Sequence, residues 1–245
     1  MSPAHSRPSK RKHVGLIAVV AASGLAAVAI VASNQASATA GADCADVHVI
    51  TARGSTEAPG EGSTGALVTQ IVDASDQTVS RAAVDYPATL TNYARSSAEG
   101  VSALTTQLTR QVGQCPDQEI VLTGFSQGAH VVLDVLGGGG GGVLGSATPP
   151  ISASIASHVT AVATFGDPRH VVDQPFDVGT STRDGLFPRS AAQLRTLAGF
   201  ADRIQAFCDS GDTFCDKGLS IAVHSTYLDR HQDDAAAFVL DKVGG

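Results

Sequence analysis

Five short apolar runs alternate with segments of helical periodicity, and that alternation constrains the fold more than any other feature of the chain. The runs are Val47–Ala52, Val79–Val84, Ile120–Phe125, Val159–Phe165 and Ile204–Phe207. Between them Leu67, Val68, Ile71 and Val72 mark one helix. Ser97, Val101, Leu104, Leu108 and Val112 recur at helical spacing and predict a long helix from about residue 92 to 113. Val131 to Leu136 belong to a helix behind the third strand, and Tyr227–Val243 reads as a closing helix. Strands separated by helices pair in parallel and are covered on both faces. The expected fold is therefore α/β, with a central, mainly parallel five-stranded sheet. No repeat and no Pro/Ser linker interrupts the pattern, so one domain is expected. The chain is 43% hydrophobic and only 16% charged, which excludes a disordered chain.

The first 38 residues stand apart and read as a cleaved signal peptide. His5, Arg7, Lys10, Arg11, Lys12 and His13 make a basic start, and Val14 to Ala32 carries no charge. Ala36-Ser37-Ala38 and Ala38-Thr39-Ala40 are both small-x-small cleavage patterns, so cleavage is expected after Ala38 or Ala40. A retained membrane anchor is the alternative. The run is Ala-rich and broken by Ser23-Gly24, which makes it a poor membrane span. Taking residues 1–38 from the 245 leaves a domain of 207 residues, 39–245, with 12 basic and 23 acidic residues. That acidic surplus excludes a nucleic-acid partner and disfavours anionic membranes. The expected destination is extracellular, with no stable membrane insertion after cleavage.

All four cysteines, at 44, 115, 208 and 215, fall in the second part, and an exported chain is expected to oxidise them. Cys44 and Cys115 each precede an apolar run. If those runs are neighbouring parallel strands, both cysteines lie at the same sheet edge, and pairings 44–115 and 208–215 follow.

Gly124-Phe125-Ser126-Gln127-Gly128 is a G-x-S-x-G motif, weak alone but set here between a strand and a helix. That setting is what a nucleophile elbow requires. A serine hydroxyl needs a base, and the base needs an orienting acid. Among the histidines after Ser126, His130 lies one helical turn on and reads as structural. His158 and His170 precede the last strand, and His231 reads as part of a solvated helix face. His224, just before the closing helix, fits best. The acid should follow the strand Ile204–Phe207, where Asp209, Asp212 and Asp216 stand. Asp212, inside the small loop between Cys208 and Cys215, is favoured, with Asp167 of Gly166-Asp167-Pro168 as rival. The N–H of Gln127 and one from the loop Arg53-Gly54-Ser55-Thr56-Glu57 would stabilise an oxyanion, with the Ser55 hydroxyl as a further donor. The run Gly137–Gly142 reads as a mobile surface loop. A phosphate cradle would follow a strand, and this run follows a helix.

Taken together, Ala52-Arg53-Gly54-Ser55-Thr56-Glu57, the Ser126 motif and Cys208-Asp209-Ser210-Gly211-Asp212-Thr213-Phe214-Cys215 followed by His224 resemble the cutinase family, the cutinase and acetylxylan esterase group of α/β-hydrolases. The resemblance implies an α/β-hydrolase-type three-layer sandwich with an exposed site and no large lid. It implies Ser126 as nucleophile, Asp212 as acid and His224 as base. Ser55 and Gln127 would form the oxyanion hole, with disulfides Cys44–Cys115 and Cys208–Cys215. The implied activity is that of a secreted serine esterase acting on cutin, polyesters, lipid esters or other short-to-medium acyl esters. Acetylxylan esterase and a non-catalytic binding protein on the same scaffold are the alternatives. No metal or organic cofactor and a monomeric state are expected. Val171, Val172, Phe176, Leu186 and Phe187 would either flank the site or anchor loops in the core.

Overall fold

The computed structural model describes residues 44–244, so the expected signal peptide lies outside the described residues. Strands β1 (Val47–Ala52), β2 (Val79–Ala83), β3 (Glu119–Phe125), β4 (Val159–Phe165), β5 (Asp177–Val178) and β6 (Ile204–Phe207) form one sheet in the order β2-β1-β3-β4-β6-β5. Every pairing is parallel. The sheet therefore has six strands where five are expected from sequence. The sixth, β5, is two residues long and begins with Asp177, so no apolar run announces it. It is held at the edge by pairing with Ala206 and Phe207.

Parallel strands bury both faces, and their side chains divide accordingly. Ile50, Ile120, Leu122 and Val162 pack under α2 (Tyr93–Gln114), α3 (Gln127–Gly137) and α5 (Ala191–Ala198). Val47, Val49, Val121, Ala161 and Phe165 pack under α1 (Gly65–Ala74) and α7 (Tyr227–Val243). Two short helices complete the chain, α4 (Ala153–Ala156) and α6 (Ile221–Ser225).

Cys44 pairs with Cys115, and Cys208 with Cys215. The first bridge joins the chain just before β1 to the chain just before β3. The strand order reverses at β1, with β2 on one side and β3 on the other. In open α/β sheets such a switch point opens a crevice beyond the carboxyl ends of the strands. Ala52 and Gly124 are register partners, so the loops after β1 and β3 emerge side by side there.

Of the glycine run, expected as a mobile surface loop, Gly137, Gly138 and Gly139 are buried, and its backbone is bonded to other elements. Gly140 N–H donates to Asp134 Oδ2 at 3.2 Å, and the Gly140 carbonyl accepts from Arg169 Nη2 at 3.0 Å. The Gly138 carbonyl accepts from Gln193 Nε2 at 2.9 Å. Arg169 and Gln193 stand 29 and 55 residues further along the chain, where sequence spacing could not reveal them as partners.

Candidate active site

Ser126 links the end of β3 to the start of α3, with φ 54° and ψ −116°. A non-glycine residue rarely holds a positive φ, and the surroundings here impose it. A Cβ on Gly124 would lie 2.6 Å from the Gly128 backbone, and one on Gly128 would lie 1.9 Å from the Ala52 carbonyl oxygen. Two glycines thus let β1, the turn and α3 touch through bare backbone. The turn sets the Ser126 hydroxyl over the N-terminus of α3, where peptide dipoles favour negative charge.

His224 Nε2 is 2.9 Å from Ser126 Oγ, and His224 Nδ1 is 2.8 Å from Asp212 Oδ2. An ionised carboxylate only accepts, so Nδ1 carries the proton and Nε2 is left to accept from the serine hydroxyl. The imidazole is buried between aromatic rings, 4.9 Å from Phe125 and 4.4 Å from Phe214 between centroids. Gly166, with φ 63°, makes room for it. A Cβ there would lie 2.8 Å from His224 Cε1 and 2.9 Å from a Tyr227 ring carbon.

Asp212 is fully buried in the loop closed by Cys208 and Cys215. Its Oδ1 accepts from Phe214 N–H at 2.6 Å and Cys215 N–H at 3.0 Å. Burial alone would raise its pKa. The bonds from His224 and from these two backbone donors outweigh burial and hold it below the ordinary carboxylate value.

Tyr227 is the residue that sequence reasoning missed. Its hydroxyl accepts from Asp209 N–H at 2.9 Å, so its single proton is directed to Asp212 Oδ2 at 2.8 Å. Burial first, and then the Asp212 charge, push its pKa up, so the phenol stays protonated and keeps donating. The available signal was one of only three tyrosines standing three residues after His224, at the start of the predicted closing helix. Tyr227→Phe removes one of four donors to Asp212 and leaves the carboxylate less firmly held. Turnover of p-nitrophenyl butyrate is expected to fall by about fivefold with little change in Tm. A lowered Tm with unchanged turnover would mean that the hydroxyl serves packing alone.

On the other side of Ser126, the Ser55 and Gln127 N–H groups donate to no protein acceptor among the described residues. The Ser55 hydroxyl is not free as a further donor, because it donates to Gln127 Oε1 at 3.0 Å. Gln127 Nε2 in turn donates to Ser97 Oγ at 3.0 Å. The loop after β1 is held by Thr56 N–H to the Ala88 carbonyl at 2.7 Å and Arg53 Nε to the Glu57 carbonyl at 3.1 Å.

The rival residues lie elsewhere. Asp167 pairs with Arg189 and accepts from Arg169 N–H at 2.9 Å. Asp134 joins the same buried cluster through Arg169 at 2.5 Å, Arg189 at 3.0 Å and His130 at 3.1 Å. Asp209 and Asp216 are engaged by Arg230 at 3.1 Å and Arg183 at 2.9 Å. His231 corrects the solvated reading, since its Nε2 is 2.7 Å from Asp209 Oδ2 and its ring lies 5.0 Å from that of Phe207. His48 sits at the opposite end of the sheet, bonded to Ser80 at 2.7 Å. Phe176 is a core residue, whereas Leu186 is exposed and Phe187 stacks on Tyr93 at 5.5 Å.

Comparison with known proteins gives a consistent picture. The family model described as Cutinase matches residues 43–243. "Acetylxylan esterase" of Hypocrea jecorina is 33% identical over 205 residues, covering 80% of this chain and 67% of that protein. "Cutinase 11" of Verticillium dahliae is 34% identical over 228 residues, covering 89% and 75%. A solved acetyl xylan esterase structure, an iodinated complex, superposes with a TM-score of 0.76 at 31% identity. The match covers 82% of this chain and all of the other.

Proposed function

Because this chain belongs to the cutinase family of esterases, we propose that it is a secreted serine esterase acting on cutin-like polyesters and short-to-medium acyl esters. The observation that carries the reading is the unbroken line Ser126–His224–Asp212, at 2.9 and 2.8 Å, beside unoccupied N–H donors on Ser55 and Gln127. In this reading His224 takes the proton as Ser126 Oγ attacks the ester carbonyl. The developing oxyanion is held by the Ser55 and Gln127 amides, and losing one such donor typically costs about 3 kcal/mol. His224 then protonates the leaving alcohol, and water attacks the acyl-enzyme by the same route. Asp212 keeps the imidazole in the required tautomer.

Leu219 and Ile221, exposed just before His224, favour an aliphatic ester over a sugar at this rim. The 33% identity to an acetylxylan esterase supports the second reading, deacetylation of a plant polysaccharide. Purified protein assayed on p-nitrophenyl butyrate, an aliphatic polyester film and acetylated xylan separates them. Release from the first two should dominate. Deacetylation of xylan with an intact film would favour the second reading, and inertness toward all three would favour a binding protein. A secreted form beginning at residue 39 or 41 would support export.

A further inference from the structure

We propose that a groove beside α3 holds the aliphatic chain on the alcohol side of the scissile ester, an inference that rests on the esterase reading above. The groove has a volume of about 650 Å³ and runs between the glycine loop and the segment that enters α5. Neither Ser126 nor His224 lines it. Leu186 and Phe187 line the end nearer Ser126, since Phe187 stacks on Tyr93, whose hydroxyl is 3.0 Å from His130 Nδ1, one helical turn past Ser126. Gly141, Gly142 and Val143 line it beyond the C-terminus of α3, its far end.

The lining is uncharged in effect. Arg169 is the one charged residue on it, and its guanidinium is committed to Asp134 at 2.5 Å, the Gly140 carbonyl at 3.0 Å and Gln193 at 3.0 Å. The one aromatic ring, Phe187, is already stacked on Tyr93, and the chain has no tryptophan, so no free aromatic platform awaits a sugar. At the far end a Cβ on Gly141 or Gly142 would meet nothing within 4 Å. The opening there exists because those residues have no side chains.

Five large apolar side chains are left exposed among the described residues. Two are on this groove, Val143 at 79% and Leu186 at 41%, and two, Leu219 and Ile221, stand five and three residues before His224. The near end is joined to the base by two contacts. Leu186 N–H donates to the Phe214 carbonyl at 2.9 Å, and the Phe214 ring lies 4.4 Å from that of His224. His224 must protonate the departing oxygen, so the alcohol portion lies on the His224 side of Ser126. A chain leaving that oxygen across Phe214 meets Leu186 next, and then the groove. Gly137, which lines the groove at the end of α3, lies eleven residues beyond Ser126, or about 16 Å along α3. A short alcohol cannot reach that far, and a long aliphatic one can.

Butyl and dodecyl acetates provide the test. In the wild type, kcat/KM should rise about tenfold or more from the butyl to the dodecyl ester. Ala192 and Thr196 line the groove from α5. Ala192→Trp and Thr196→Trp should each abolish the rise while leaving p-nitrophenyl acetate turnover within about twofold, a control for folding. Equal values for the two acetates in the wild type, or a rise that persists in both variants, would overturn the proposal. So would variants that lose p-nitrophenyl laurate turnover relative to butyrate with the alkyl acetate ratio unchanged, which would put the acyl chain there. Calorimetry with dodecan-1-ol requires no chemistry. Binding by the wild type that is lost in Ala192→Trp supports the groove even if no ester is hydrolysed. Absent binding in an active esterase rejects the groove alone.

Discussion

Ser126→Ala is expected to lower turnover of p-nitrophenyl butyrate by about ten-thousand-fold or more, with no loss of folded protein. The size follows from how the groups are coupled. His224 Nε2 has one partner at the site, Ser126 Oγ at 2.9 Å, and without it the imidazole has no nucleophile to activate. Asp212 and its donors would remain in place but orient a base with nothing to deprotonate. The residual rate would come from the Ser55 and Gln127 amides acting on a bound ester attacked by water. The covalent readout is independent of the rate. An organophosphate should label the wild type on the peptide that contains Ser126 and leave the variant unlabelled. Full activity in Ser126→Ala would sink the assignment of the nucleophile.

Gly128→Ala is expected to be the most destabilising single-methyl change in the region, at about 4 kcal/mol or more, read as loss of soluble protein or a large drop in denaturant midpoint. The added Cβ would lie 1.9 Å from the Ala52 carbonyl oxygen and 2.7 Å from that of Arg53. These atoms are backbone at the end of β1, which pairs with β2 on one side and β3 on the other, so no flexible side chain can give way. Either α3 tilts off the sheet or β1 shifts in register, and both disturb the core around Ile50 and Leu122. Gly113→Ala, where a Cβ meets nothing within 4 Å, is the control and should be neutral or better.

Much of the architecture was legible because apolar runs and helical periodicity report burial directly. The five longer strands and the helices α2 and α7 follow from it. Strand β5 was not legible, since two residues with an aspartate carry no pattern and pair only because the chain after β4 returns to the sheet edge. In the site, Ser126, His224 and Asp212 stand where motif, order and loop closure place them, and the structure brings them within hydrogen-bonding distance. Tyr227 and Gly166 were hidden because their roles come from contact with Asp212 and with His224, across 15 and 58 positions of sequence. His231 looked solvated because its helix neighbours are acidic, while its actual partner, Asp209, lies in another loop. The burial of Gly137–Gly139 was hidden in the same way, since Arg169 and Gln193, which bond the run's carbonyls, stand far along the chain.

The Cys44–Cys115 bridge bears on how the chain reaches this state. It ties together residues 71 apart and sits just before the two strands whose opposite ends carry the Ser55 loop and Ser126. Parallel neighbours of such separation are slow to find one another, because the loop between them must close before any contact rewards it. In the chain-entropy view, a closed loop of this length is worth about 4 kcal/mol against the unfolded ensemble. Once the bridge forms, β1 and β3 have little choice of partner or alignment. Oxidation at one end of the sheet thus shortens the search that brings the Ser55 loop and Ser126 together at the other.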